Sequence, residues 1–185
     1  MSPSTSENLA IVQVGLNLES QIERLLPKLS ERLTNTNPVL PPPLTNVDEA
    51  LDSKRNQYHS TRIIAILESD VNLSAYHKIV GVTAIDLYNP GMDGQGFVFG
   101  EARCPGRSSI VSTARLHATS HDKPETVENR VRKEVVHEIG HMKGLKHCSS
   151  SLCVMNRSIN VTNIDMKTDE YCSKCQRRLG LGLQP

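Results

Sequence analysis

One run of eleven residues, from His137 to His147, constrains this chain more than any other feature. It reads His-Glu-Ile-Gly-His-Met-Lys-Gly-Leu-Lys-His. His137 and His141 lie four residues apart, so on a helix both imidazoles project from one face and can reach one metal ion. Gly144 can adopt the left-handed conformation that ends a helix and reverses the chain. The run therefore predicts a helix that ends beside a metal site completed by His147.

The residues before this run predict a long helix from about 123 to 143. Asp122 and Glu125 have the spacing of a capping box, with Asp122 as the N-cap. Five apolar residues at steps of four and three form a stripe that would face the core. They are Val127, Val131, Val135, Ile139 and Met142. Because the stripe is turned away from the histidines, the helix can pack on a core and still present metal ligands.

A zinc ion held by three histidines keeps its fourth position open, which is the arrangement of a catalytic site. Zinc lowers the pKa of a bound water from about 15.7 to about 7, so hydroxide becomes available at neutral pH. Glu138 follows the first histidine and can approach that water without being a ligand. We expect Glu138 to be the general base. The set predicts a peptidase that hydrolyses peptide bonds through the zinc-bound water.

Four of the five cysteines follow the run at metal-ligand spacing. Four residues separate Cys148 from Cys153, and two separate Cys172 from Cys175. Two such pairs suit a closed tetrahedral zinc site that stabilises a fold. Two disulfides or four free thiols are the alternatives, and a reducing compartment favours the metal. The fifth, Cys104, lies in a loop away from this cluster and is expected to be a structural or incidental thiol.

Composition limits the partners of the chain. Its 185 residues carry a formal net charge of +1, and 3% of them are aromatic. This gives no reason to expect nucleic acid or a membrane surface as a partner. No apolar run approaches the ~20 residues that span a bilayer, and the N-terminus lacks the basic region of a signal peptide. We therefore expect a cytoplasmic protein that acts on a peptide or small protein, with no nucleic-acid or membrane partner.

The chain before the metal-binding helix mixes strand and helix patterns, which predicts one α+β domain over residues 1–185. Four prolines within residues 36–43 predict an extended connector. The strand patterns cover 10–14, 78–87, 97–99 and 108–116, and the earlier helix patterns cover 18–33 and 58–68.

The run at 137–147, the four cysteines and Met155 together resemble the signature of the archaemetzincins, a branch of the metzincin zinc metallopeptidases. The matching pattern covers residues 137–175, and segments 99–102 and 109–116 are also similar. Two departures stand out. Sixteen residues separate Met155 from Cys172, one fewer than in the family pattern, and Arg157 stands where several metzincins have a tyrosine that assists at the oxyanion.

The resemblance implies a metzincin-like catalytic domain, with a twisted mixed sheet and two main helices. Residues 1–144 would form the upper subdomain, and residues 145–185 a small lower subdomain stapled by zinc. The substrate would lie in the cleft between them and pair with an edge strand of the sheet.

The resemblance also implies a role for each site residue. Two zinc ions are implied, one catalytic and one structural. Glu138 would be the catalytic acid and base, and Met155 would form an apolar floor beneath the catalytic zinc. The catalytic zinc would be bound by His137, His141 and His147, and the structural zinc by Cys148, Cys153, Cys172 and Cys175.

Two other functions compete with the peptidase. One is a zinc-dependent binding protein without turnover, and the other is a zinc-buffering or redox-sensing protein that uses the cysteines. Glu138 favours the enzyme, because a binding site needs only the ligands. The residues do not distinguish an aminopeptidase from an endopeptidase. An aminopeptidase needs an acidic group for the substrate amine, and Glu101 is the candidate.

Overall fold

The computed structural model describes residues 7–91, 96–119 and 122–181. Within these ranges the chain forms eight strands and five helices. The strands are β1 (Glu7–Val14), β2 (Thr36–Val39), β3 (Leu51–Asp52), β4 (Gln57–His59), β5 (Lys78–Thr83), β6 (Leu87–Tyr88), β7 (Gly100–Ala102) and β8 (Ser108–Ser112). The helices are α1 (Glu19–Arg32), α2 (Ser60–Ser69), α3 (Pro124–Met142), α4 (Val161–Met166) and α5 (Ser173–Arg178). None of these helices has the length and apolar character that crossing a lipid bilayer requires.

Five strands form the main sheet, in the order β2-β1-β5-β8-β7. The first four run parallel, and β7 pairs antiparallel with β8 at one edge. Strands β3, β4 and β6 form a small second sheet. Helices α1 and α3 cover one face of the main sheet, and α2 covers the other. The mixed sheet with its helices confirms the predicted fold class.

Alternate residues of the parallel strands supply two cores, one on each face of the main sheet. In β1, Leu9 and Ile11 pack with the side chains of α1 and α3, whereas Ala10, Val12 and Val14 pack with those of α2. Successive side chains of a strand point to opposite faces. A strand buried on both faces therefore has an unbroken apolar sequence, as residues 9–12 do.

The observed bounds differ from the predicted patterns at three places. The proline-rich connector is partly a strand, because β2 pairs with β1 at the sheet edge, where Pro38 needs no N–H for the ladder. The pattern over 78–87 is divided, since the Thr83 hydroxyl accepts a hydrogen bond from the N–H of residue 85 and turns the chain. The strand expected from Phe97 begins at Gly100, after a single bridge at Val98.

Helix α3 begins at Pro124, and the predicted capping box is wrong. Lys123 holds the N-cap position and makes no side-chain capping bond. The Asp122 carboxylate instead accepts hydrogen bonds from the N–H of Ala118 and from the buried guanidinium of Arg130. A proline at the first helical position has no N–H to cap. The charge-assisted bond to Arg130 is also stronger than a bond to a backbone amide.

Three alternate residues of the C-terminal segment, residues 145–181, form ion pairs with α3. The pairs are Arg130–Asp165, Arg132–Asp169 and Glu134–Lys167. The last pair is buried, with side-chain exposures of 0% for Lys167 and 4% for Glu134 and a distance of 2.8 Å from Nζ to Oε1. Asp169 also accepts from Arg32 of α1. These pairs hold the segment that carries the cysteines against the helix that carries two of the histidines.

Replacing Lys167 with methionine should destabilise the fold, because the Glu134 carboxylate would then be buried without a partner. Breaking a buried pair costs about 3–5 kcal/mol. The double replacement Lys167→Met with Glu134→Leu should recover part of this loss, since no charge stays buried. Urea unfolding measures both variants, with Lys54→Met on the exposed β3–β4 turn as the control. A single Lys167 variant as stable as the control would contradict this account.

Candidate active site

The end of α3 has the conformation that the sequence predicts. Gly144 has a φ of +90°. The N–H of Gly144 donates to the carbonyl of His141 at 2.8 Å, and the N–H of Leu145 donates to the carbonyl of Gly140 at 2.9 Å. These are the two bonds of a Schellman motif. The reversal buries Leu145 and returns His147 to the end of α3.

The structure brings the three predicted histidines together. One ring nitrogen from each of His137, His141 and His147 lies within 4.8 Å of the other two. The ring centroids are 4.6, 4.9 and 5.4 Å apart. His137 is buried, His141 is half-buried, and His147 is exposed. The convergence expected from the spacing is therefore present in the fold.

Two backbone carbonyls fix the tautomer of two of these rings. Nδ1 of His137 donates to the carbonyl oxygen of Val154, and Nδ1 of His141 donates to that of Leu145, each at 2.7 Å. Because a carbonyl only accepts, each Nδ1 carries the proton and each Nε2 keeps a lone pair. The two Nε2 atoms lie 3.1 Å apart. Two ligands at about 2.0–2.1 Å from a tetrahedral zinc lie about 3.3 Å from each other, so the pair fits a shared zinc ion.

All three histidines have lowered pKa values. Burial lowers the pKa of His137 well below its ordinary value and also lowers that of His141. For His147, burial together with the nearby His141 and Arg157 lowers the pKa to about 4. The rings are therefore neutral near pH 7, which is the state that binds a metal.

Glu138 is buried beside the histidines and lies against strand β7. A β-carbon at position 100 would lie 2.6 Å from Oε1 of Glu138 and 2.9 Å from a backbone carbonyl of β8. Gly100 therefore leaves the room that this carboxylate occupies. Burial raises the pKa of the Glu138 carboxyl well above its ordinary value, the like charges of Glu134 and Glu101 raise it further, and Lys167 opposes them.

These groups line a cleft of about 370 Å³, which is bounded by β7 and by residues of the C-terminal segment. Glu101 of β7 lies in this cleft. Its carboxylate accepts hydrogen bonds from the hydroxyls of Ser60 and Thr61 and from the amide of Asn89. These three neutral donors fix the orientation of Glu101 and leave its negative charge in place.

Cys104 is separate from the clustered cysteines, as expected, but it lies closer to the histidines than its loop position indicated. It lines the same cleft. Its thiol lies 3.6 Å from the carbonyl oxygen of Leu145, the oxygen that also accepts from His141.

Met155 is completely buried beneath the last turns of α3. A β-carbon at position 140 would lie 2.3 Å from the sulfur of Met155 and 3.0 Å from the ring of Tyr171. Gly140 therefore permits a close approach between α3 and the C-terminal segment. Tyr171 strengthens this contact, since its hydroxyl donates to the carbonyl of Val136 at 2.7 Å.

The four clustered cysteines also converge as predicted. The sulfur of Cys148 lies 3.8 Å from that of Cys172, and the sulfur of Cys153 lies 3.8 Å from that of Cys175. A disulfide requires about 2.05 Å, so these pairs are not disulfides. Four sulfurs at about 2.3 Å from a tetrahedral zinc lie about 3.8 Å from one another. The distances therefore fit a zinc ion.

Burial and hydrogen bonding both shift the pKa values of these thiols, and they act in opposite directions at Cys172. Burial raises the pKa of both Cys153 and Cys175. For Cys172, burial also acts to raise the pKa, but hydrogen bonds from the backbone of Cys175 and from neighbouring thiols lower it to about 7. The backbone N–H of Cys172 in turn donates to the sulfur of Cys153 at 3.3 Å. Such N–H donors stabilise thiolates that bind a metal.

Comparison with known proteins decides the family. The model of Peptidase family M54 matches residues 22–180. The archaemetzincin of Methanopyrus kandleri is 38% identical over 137 residues, which cover 74% of each chain. The chain belongs to the archaemetzincins. Membership confirms the resemblance seen in the sequence and makes the chain a metallopeptidase, a class of hydrolase.

Two solved structures support the same assignment. A crystal structure of the M. kandleri archaemetzincin has a TM-score of 0.83 and 32% identity, and the match covers 97% of both chains. A zinc-dependent peptidase from Methanocorpusculum labreanum has a TM-score of 0.79 and 27% identity, over 92% of this chain and 99% of its own. The metallopeptidase family, together with the three histidines and the four clustered cysteines, supports zinc as the metal.

Replacing Gly100 with alanine should lower kcat for peptide hydrolysis by about 10- to 100-fold, because the new methyl group displaces the Glu138 carboxylate. Zinc content should stay unchanged, because none of the atoms nearest to that methyl group belongs to a histidine. Gly96→Ala is the matched control, because a β-carbon there meets no atom within 4 Å. Equal kcat values for the two variants would show that the space at position 100 does not position Glu138.

Proposed function

We propose that this chain is a zinc-dependent peptidase in which His137, His141 and His147 hold the catalytic zinc and Glu138 is the general base. The facing lone pairs of His137 and His141 carry the proposal. Two acceptor nitrogens 3.1 Å apart repel each other unless a cation lies beside both. Burial lowers the pKa of both rings, which favours a metal ion over a proton as that cation.

Proton transfer is the part of the reaction that falls to the protein side chains. When bound, zinc would polarise the scissile carbonyl and lower the pKa of a water that it coordinates. Glu138 would accept a proton from the attacking water as the oxygen–carbon bond forms. It would then donate that proton to the leaving amine as the carbon–nitrogen bond breaks. Its packing against Gly100 fixes the carboxylate in the cleft that the three histidines also line.

Strand β7 is the proposed binding strand for the substrate. It is the last strand of the main sheet, and its residues line the cleft that contains Glu138. The unpaired edge of such a strand offers N–H and C=O groups to an extended peptide. An extended peptide on β7 would bring its backbone past Glu138 and the three histidines.

A second, structural zinc on Cys148, Cys153, Cys172 and Cys175 belongs to the same proposal. The distances of 3.8 Å between paired sulfurs support it. We place the boundary between an upper subdomain, residues 1–144, and a lower one, residues 145–185, at the turn after α3. A cytoplasmic location fits these thiol ligands, because reducing conditions disfavour disulfides.

A zinc-binding protein without turnover would need the ligands but not Glu138. The buried position of this carboxylate argues against that alternative. Gly100 leaves space for the carboxylate, and burying a carboxyl group without a cation partner costs stability. A protein that only bound zinc would gain nothing from this arrangement.

Replacing Glu138 with glutamine should reduce peptide hydrolysis by at least about a thousandfold, because the amide cannot accept the proton. Both zinc ions should remain, since Glu138 is not a ligand. Peptide cleavage followed by mass spectrometry measures the first effect, and elemental analysis measures the second. Hydrolysis at the wild-type rate would refute the role of Glu138.

Replacing Cys172 with serine should release one zinc ion and lower the melting temperature by about 10 °C, because the C-terminal segment loses the metal ion that crosslinks it. The control is Ser173→Ala, at the neighbouring exposed position. Calorimetry and zinc analysis measure both changes. A variant that keeps two zinc ions and the wild-type melting temperature would rule out the four-cysteine site.

A further inference from the structure

Two cations line the cleft on the side of the C-terminal segment. Lys146 lies directly before His147, and Arg157 lies two residues after Met155. Both side chains line the cleft that contains Glu138, and both residues are exposed. His147 lines the same cleft. The two cations therefore lie beside the proposed reaction centre.

The charges of Lys146 and Arg157 are uncompensated by carboxylates within the described ranges. Neither side chain forms an ion pair there, whereas Arg132 and Lys167 pair with Asp169 and Glu134, each at 2.8 Å. Lys167 already neutralises Glu134, which lines the same cleft. The other two carboxylates of the cleft, Glu101 and Glu138, form no ion pair with Lys146 or Arg157 in the part of the chain that the structure describes.

The acidic groups of the cleft lie on other elements. Glu101 is on β7, where Ser60, Thr61 and Asn89 hold it. Glu138 is on α3, packed against Gly100. A peptide bound along β7 would thus meet negative charge on the β7 side and positive charge on the side of the C-terminal segment. Charge complementarity of this kind selects partners and speeds their association.

We propose that Lys146 and Arg157 select peptide substrates that present a carboxylate to the C-terminal side of the cleft. This inference rests on the proposed peptidase function and names its substrate class. An arginine guanidinium can bind a carboxylate through two parallel hydrogen bonds, and a lysine ammonium adds a point charge. The carboxylate has two sources, an aspartate or glutamate side chain or the free C-terminus of the peptide.

The test compares matched peptides. One series carries glutamate or glutamine at each position of a cleaved sequence, and a second series carries a free or an amidated C-terminus. For wild type, kcat/KM should be about tenfold higher for the peptide with the carboxylate than for its matched amide peptide. Each of the two exposed cations should contribute a factor of about two to five. The preference should shrink at about 1 M salt, where the screening length is about 3 Å. A preference confined to the second series would identify the C-terminus as the source.

The variants Arg157→Gln and Lys146→Gln should each lower this preference two- to fivefold. Arg178→Gln and Lys54→Gln are matched controls at exposed positions outside the cleft, and they should keep the wild-type preference. Equal kcat/KM for the carboxylate and amide peptides in wild type would overturn the proposal. A preference that survives both cleft replacements would overturn it as well.

A binding measurement separates this inference from the peptidase function. In the Glu138→Gln background, the dissociation constants of the same peptides should show the same preference without turnover. If wild type cleaves none of the peptides, the peptidase proposal fails, and the binding preference still decides the roles of Lys146 and Arg157. Equal dissociation constants for the matched peptides would refute those roles.

Discussion

Two imidazole nitrogens with facing lone pairs, the Nε2 atoms of His137 and His141, lie 3.1 Å apart, and the rest of the site is built to keep them there. The two carbonyls that orient these rings belong to Val154 and Leu145. Both carbonyls come after the turn at Gly144. The helix therefore supplies two of the three proposed ligands, and the C-terminal segment supplies the carbonyl oxygens that direct their lone pairs to one point.

The same segment joins the two proposed metal sites. His147 and Cys148 are adjacent in sequence, so the four-cysteine cluster limits the position of the third histidine. The backbone N–H of Cys148 donates to the carbonyl of Met155, whose side chain packs under α3. The buried Lys167–Glu134 pair adds a further tie between the segment and α3. Loss of the proposed structural metal would therefore loosen the site of the three histidines as well.

The sequence predicted the parts of the site that depend on local spacing. Histidines four apart on a helix, a glycine that reverses the chain and two cysteine pairs have local consequences, and each is present. It did not predict Lys167 as the partner of Glu134, or Gly100 as the space for Glu138, because these contacts join distant elements. The alternating charges at 165, 167 and 169 were the available signal for the first, but their partners on α3 are visible only in the fold. The capping box failed because Arg130 competes for Asp122.

Anomalous diffraction on either side of the zinc absorption edge tests the central claim most directly. The account predicts two zinc peaks in each chain. One should be bonded to nitrogen atoms of His137, His141 and His147, and the other should lie among the four clustered sulfurs. A peak at the sulfurs with none at the histidines, from zinc-replete protein, would contradict the catalytic site. Continuous density between the sulfurs of Cys148 and Cys172 would contradict the structural one.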